Sequence, residues 1–153
     1  MNELNPLIEK AAQLCVEKHK GQVDKVGQAY ILHPMRVAMS CATDAERIVA
    51  MLHDTIEDTD VTPEYLLTEG FPQYIVDAIL SVTKRERETY DDFIKRCALN
   101  PIGRQVKLRD LEDNMNVLRL DEVSDDMARR LSKYISAHRY LTEFISQISE
   151  LPI

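Results

Sequence analysis

Apolar residues recur along this chain at helical spacing, and glycine, proline and small hydroxyl residues mark where the runs begin and stop. Leu4, Leu7, Ile8, Ala11, Leu14 and Cys15 lie three and four apart, which predicts a helix over 4–20 with one inward face. Gly21 is placed as its C-cap, and 21–33 reads as a loop too short and irregular for a hairpin. His33 precedes Pro34 and should therefore be extended, with Pro34 opening a helix over about 34–42. Thr43-Asp44-Ala45-Glu46 is a capping box, so a helix should start there and run on to carry His53 and Asp54.

The same grammar continues. Thr62-Pro63 starts a short helix to about Leu67, and Gly70-Phe71-Pro72 breaks the chain. Ile75, Val76, Ile79 and Leu80 mark a helix over 73–82, and residues 84–88 form a charged connection. Thr89 and Asn100-Pro101 open two further helices. The first turns Tyr90, Phe93, Ile94, Cys97 and Ala98 inward; the second turns in Val106, Leu108, Leu111 and Met115. After a turn near 121–124, the last helix has the stripe Met127, Leu131, Tyr134, Ile135, Leu141, Ile145 and Ile148. No alternating strand, repeat or linker interrupts this. The expectation is an all-α bundle of roughly seven to nine helices in one domain over 1–153, by usual helix lengths.

Composition narrows the class. A chain of 153 residues, 44% hydrophobic and 29% charged, is long enough for a core and ordinary for a globular protein. It has no apolar run of membrane-spanning length, and its N-terminus reads as neither signal nor transit peptide, so a cytoplasmic location is expected. The net charge of −7 argues against non-specific nucleic-acid binding but leaves room for a small polyanion held by local lysines. Cys15, Cys41 and Cys97 are scattered among apolar residues and read as buried thiols of a reducing compartment.

The chemistry concentrates in His53-Asp54-Thr55-Ile56-Glu57-Asp58, one imidazole and three carboxylates among apolar residues. On a helix His53 would align with Glu57, and Asp54 with Asp58. Imidazole with carboxylate suits a divalent metal, and a second carboxylate pair suits acid/base work on a water. A capped surface helix with an acidic end is the bland alternative. His33 and Asp110 could complete a four-residue metal set. By themselves they also read as a core or capping histidine and as a partner of Lys107. Asn114 lies one turn beyond Asp110, while His19 and His138 lack a carboxylate set and read as structural or exposed.

The ordered set His33, His53-Asp54 and Asp110 resembles that of the HD-domain metal-dependent phosphohydrolases. Gly21-Gln22, Gly27, Tyr30-Ile31, His33-Pro34, Glu57-Asp58, Val82-Thr83-Lys84 and Val106-Lys107-Leu108-Arg109-Asp110 with Asn114-Met115 are similar to the alarmone hydrolases within that group. Those enzymes remove the 3′-diphosphate from guanosine 3′,5′-bis(diphosphate) in the stringent response. The resemblance spans about 5–140 and implies a compact HD-domain bundle, a stand-alone small hydrolase, and a small nucleotide as partner; oligomeric state stays open. It implies Mn²⁺ on His33, His53, Asp54 and Asp110, water activation by Glu57 and Asp58, ribose contact by Asn114, and phosphate contacts by Lys25, Lys84 and Lys107. The chain departs from the pattern at Asp24, where an arginine usually packs on the base. It departs again at Leu111-Glu112-Asp113 and at Val117. A 5′-nucleotidase-like HD hydrolase, which has no need of Glu57-Asp58, and a slow nucleotide-binding sensor are the rival readings.

Overall fold

In the computed structural model, which describes residues 3–152, local capping sets most helix starts. The first two residues of the supposed leaderless N-terminus and the last residue of the expected domain lie outside the described residues. Nine α-helices follow in order among the described residues. They are α1 (Asn5–Lys18), α2 (Leu32–Ser40), α3 (Asp44–Leu52), α4 (Thr55–Asp58), α5 (Pro63–Thr68), α6 (Gln73–Ser81), α7 (Tyr90–Ala98), α8 (Pro101–Asn114) and α9 (Asp125–Ser149), with a 3-10 turn at Val117–Arg119. The all-α expectation holds: the described residues contain no strand beyond one isolated bridge. Thr43 and Glu46 form the expected capping box on α3, and Thr62, Thr89, Asn100 and Ser124 each accept a backbone N–H at a helix start. Each such cap stabilises by about 1 kcal/mol.

The core lies in two clusters. Residues of α1, α2, α3 and α6, with Leu66, Phe71 and Val106, make the larger. Phe93, Ile94, Leu108, Leu111, Ala137 and Leu141 make the smaller, between α7, α8 and α9. Helix α8 thus feeds one side into each cluster, which leaves the stripe Gly103, Lys107, Asp110 and Asn114 for other purposes. At Gly103 α8 runs so close to α6 that a Cβ there would collide with Ser81 Oγ and lie 3.2 Å from Ser81 Cβ. The three cysteines are buried and unpaired, and burial pushes the Cys15 and Cys97 thiols up to about 12, so they are inert.

Four local expectations need correction. Helix α3 ends at Leu52, so His53 and Asp54 lie in a kink between two helices and are not within one. Asp54 has φ −103° and ψ 0°, and the Thr55 hydroxyl takes the Leu52 carbonyl at 2.7 Å. His33 is helical, because the N–H groups of Leu32 and His33 already close a turn on Ala29 and Tyr30, and these bonds override the preference imposed by Pro34. The loop before it closes as a narrow ribbon, with Val23 bridging Ala29 and Tyr30 N–H donating to Gln22. The Asp24 carboxylate supports that ribbon by accepting from Val26 and Gln28, and Gly27 takes the positive φ of 78°. In the last helix only Ala137 and Leu141 are buried; Ile135 is 52% exposed, since α7 and α8 cover only part of α9.

Candidate metal centre

Three elements bring the ordered histidines and aspartates to one point. The first turn of α2 supplies His33, the kink after α3 supplies His53 and Asp54, and the middle of α8 supplies Asp110. His33, His53 and Asp110 are almost fully buried, and Asp54 is partly so. His33 Nε2 lies 2.9 Å from Asp110 Oδ1; His53 Nε2 lies 3.0 Å from Asp54 Oδ2 and 3.4 Å from Asp110 Oδ1. One ligand atom from each of His33, His53 and Asp54 falls within 4.8 Å of the others, a group able to hold a metal ion.

The ring protons show what this cluster needs. His53 Nδ1 faces the Ala50 carbonyl at 2.5 Å, and a carbonyl only accepts, so that nitrogen carries the proton. His33 Nδ1 faces the Asp113 carboxylate at 2.7 Å and is a donor for the same reason. Nε2 of each ring then faces carboxylate oxygens, so a proton or a metal ion must lie between them. His53 Nε2 is buried and makes no hydrogen bond, although Asp54 is beside it. Such a set favours positive charge between its members, and mixed nitrogen and oxygen ligands suit a divalent metal. The electrostatics agree in direction. Burial lowers His53, but Asp54 and Asp110 outweigh it and raise the ring well above its ordinary value. Burial raises Asp110, but Lys107 and the histidines hold it well below the usual carboxylate range.

The cluster opens into a cavity of about 590 Å³, within the usual size for a small-molecule site. Glu57 lines it, and its carboxylate accepts the Lys84 N–H at 2.8 Å. Burial and the neighbouring Asp54 and Asp58 charges raise the Glu57 carboxyl, against the Lys84 bond. Asp58 is not among the lining residues; burial and Asp54 raise its carboxyl too. Lys25, Lys84, Lys107 and Asn114 all line the cavity. Two of them are already engaged with the centre: the Lys107 ammonium holds Asp110 Oδ2 at 2.8 Å, and the Asn114 amide donates to Asp110 Oδ1 at 3.1 Å. The segment after α6 that bears Lys84 is anchored by Arg96, which donates to the Leu80 and Thr83 carbonyls and to Glu88.

Several roles escaped the sequence reading, which named Tyr30 only as a residue similar to those of the alarmone hydrolases. Tyr30 donates its hydroxyl to Asp54 and packs its ring between His19 and His33. Its position three residues before His33 was the available signal. His19 takes the structural of its two expected roles: it is buried, with Nδ1 against Gln22 at 2.8 Å. His138 pairs with Glu112 outside the centre. The cavity is also walled by Tyr90, Phe93, Met127 and Tyr134 and includes Lys133, whose ammonium lies 4.4 Å over the Tyr90 ring. Asp24, one of the departures from the family pattern, has one oxygen on the ribbon and the other 3.7 Å from Arg119.

No protein-family model matches the chain. Among known proteins, it is 37% identical over 123 residues to the guanosine-3′,5′-bis(diphosphate) 3′-pyrophosphohydrolase of Aquifex aeolicus, covering 72% of this chain and 18% of that protein. It is 30% identical over 144 residues to the GTP pyrophosphokinase of Myxococcus xanthus, covering 83% of this chain and 19% of that one. The chain thus spans about a fifth of the length of these relatives. Among solved structures, it superposes with a TM-score of 0.70 and 20% identity on a metazoan orthologue of SpoT that hydrolyses ppGpp and acts in starvation responses. That match covers 95% of this chain and 97% of the other, and the two share a fold. No helix among the described residues is long and apolar enough to cross a membrane.

Proposed function

Since this chain is a homologue of the guanosine-3′,5′-bis(diphosphate) 3′-pyrophosphohydrolases over the segment they share, we propose that it is a metal-dependent pyrophosphohydrolase acting on guanosine 3′,5′-bis(diphosphate) or a related nucleotide. The observation that carries this reading is the convergence of the Nε2 atoms of His33 and His53 with two aspartates at the wall of a cavity that also holds Glu57. His33, His53, Asp54 and Asp110 are the ligands, and Mn²⁺ is the ion proposed. When bound, such an ion supplies Lewis acidity toward water and phosphoryl oxygen.

The chain's own residues do the rest. Glu57 takes the proton of the attacking water: one oxygen is fixed by the Lys84 N–H, the other is left for the water, and its raised pKa suits a base. Asp58 acts on Glu57 through its charge and keeps that pKa up. Lys84 and Lys25 take phosphate oxygens, and Lys107 divides its charge between Asp110 and the substrate. Asn114 meets the ribose. The domain is taken as 1–153, and the partner as a small nucleotide.

The test is product release from a nucleotide panel with Mn²⁺. Pyrophosphate from guanosine 3′,5′-bis(diphosphate) is the expected result. Orthophosphate from a 5′-monophosphate would replace it with the 5′-nucleotidase reading, and tight binding without turnover would replace it with the sensor.

A further inference from the structure

Helix α8 carries a second aspartate one turn past Asp110, and it is used. Asp113 Oδ2 accepts the His33 Nδ1 proton at 2.7 Å. The same carboxylate is gripped by Arg36, whose Nε donates to Oδ1 at 2.8 Å and Nη2 to Oδ2 at 3.1 Å. Arg36 stands one turn along α2 from Leu32 and His33, so the ring and its clamp come from one helix and the carboxylate from another. Arg119 closes the group, donating to the Asp113 carbonyl at 3.2 Å and lying 3.6 Å from Oδ2. The Asp113 side chain is 11% exposed, a costly place for a carboxylate without such partners.

We infer that Asp113 is a positioning residue for the metal centre: it fixes the His33 tautomer and ring angle so that Nε2 faces the ion. This rests on the metal reading above. A ligating imidazole needs its other nitrogen tied to an acceptor, because a free ring turns about its χ angles and populates both tautomers. His53 meets that need with the Ala50 carbonyl of its own helix. His33, in the first turn of α2, bonds Asp113 instead, so its orienting group must come from another element. Arg36 and Arg119 hold the carboxylate ionised and pointed. The competing account is an ordinary ion pair that fastens α2 to α8, in which Asp113 serves Arg36 and the ring contact is incidental.

Mn²⁺ binding by titration calorimetry separates the two. Asp113→Ala should weaken Mn²⁺ binding about 10- to 100-fold, the usual loss for such an orienting partner. Asp113→Asn, whose amide oxygen still accepts from Nδ1, should recover most of it. Arg36→Leu, which breaks the ion pair and spares the ring contact, should cost less than a few-fold by the same scale. Equal losses in Asp113→Ala and Arg36→Leu, or none in Asp113→Ala, overturn the inference and leave the metal site standing. Failure of the parent protein to bind Mn²⁺ at all overturns both. Should Asp113→Ala not fold, ¹⁵N chemical shifts of the Zn²⁺-loaded parent decide: His33 must keep its proton on Nδ1 and bind through Nε2, and metal on Nδ1 overturns it.

Discussion

At one end of the cavity, His33, His53, Asp54 and Asp110 lie against one another at 2.9 to 3.4 Å, and each is held from behind by a partner in the fold. The lysine end is different: Lys25 and Lys133 have no carboxylate at ion-pair distance among the described residues, and Lys133 lies over the Tyr90 and Tyr134 rings. The first end is closed upon itself, so a change there reaches every neighbour and should abolish chemistry. The second end presents charge without a native partner, so a change there should alter affinity and little else.

The largest break in that contrast is Asp54→Ala. Metal content and turnover should vanish together, beyond the roughly 10²–10⁴-fold contributed by a positioned acid or base. Full metal occupancy in this variant would move the ligand set elsewhere. Next, Glu57→Gln keeps the shape and the Lys84 bond but removes the base. It should retain metal while kcat falls about 10²–10⁴-fold, and near-parental turnover would take Glu57 out of the mechanism. At the open end, Lys133→Ala should raise KM about 10-fold, the scale of one bond to a charged group, with kcat within about twofold. A drop in kcat instead would place Lys133 with the chemistry.

Two smaller effects lie between these ends. Arg96 holds the Glu88 carboxyl down at about 2, against an ordinary 4.5, and together they anchor the segment bearing Lys84. Because the folded value is the lower one, this pair stabilises fully above the ordinary value and is lost as pH falls from 4.5 through about 2. Arg96→Gln should flatten the acid limb of a pH–stability curve and cost about 1 kcal/mol at neutral pH. A parallel limb in that variant would remove the pair as its cause. Last, Asp24→Ala removes the one oxygen that accepts two ribbon N–H groups and should cost about 1 kcal/mol, or roughly 2–4 °C in Tm for a chain of this size. KM for guanosine 3′,5′-bis(diphosphate) should move less than threefold, within the usual worth of one neutral bond. A larger shift would give Asp24 a direct part in recognition.

The closed end was largely legible in the chain, and the open end was not. Thr43, Thr62, Thr89 and Asn100 announce helix starts because a cap bonds only to its own next turn. The order His33, His53-Asp54, Asp110 is a one-dimensional pattern and survives without coordinates. Asp113 read only as a departure, since its partner His33 stands 80 positions earlier and no local spacing points there. Likewise the kink at His53 depends on the Thr55 hydroxyl reaching back to Leu52, and the ribbon depends on the Asp24 side chain. The aromatic wall of the cavity required knowing which side of α9 faces α7 and α8. The apolar stripe misjudged that for Ile135.

The missing side chain at Gly103 makes α8 a gauge rod. Gly103, Lys107, Asp110 and Asn114 follow one another along a single edge of a straight helix, so the depth at which the rod seats against α6 fixes how far its other marks reach. A methyl added at Gly103 would have to dislodge the Ser81 hydroxyl from the Ala78 carbonyl and crowd Ser81 Cβ. A contact two turns from Asp110, touching neither ligand nor nucleotide, thereby shares an edge with the centre and sets how closely α8 seats on α6.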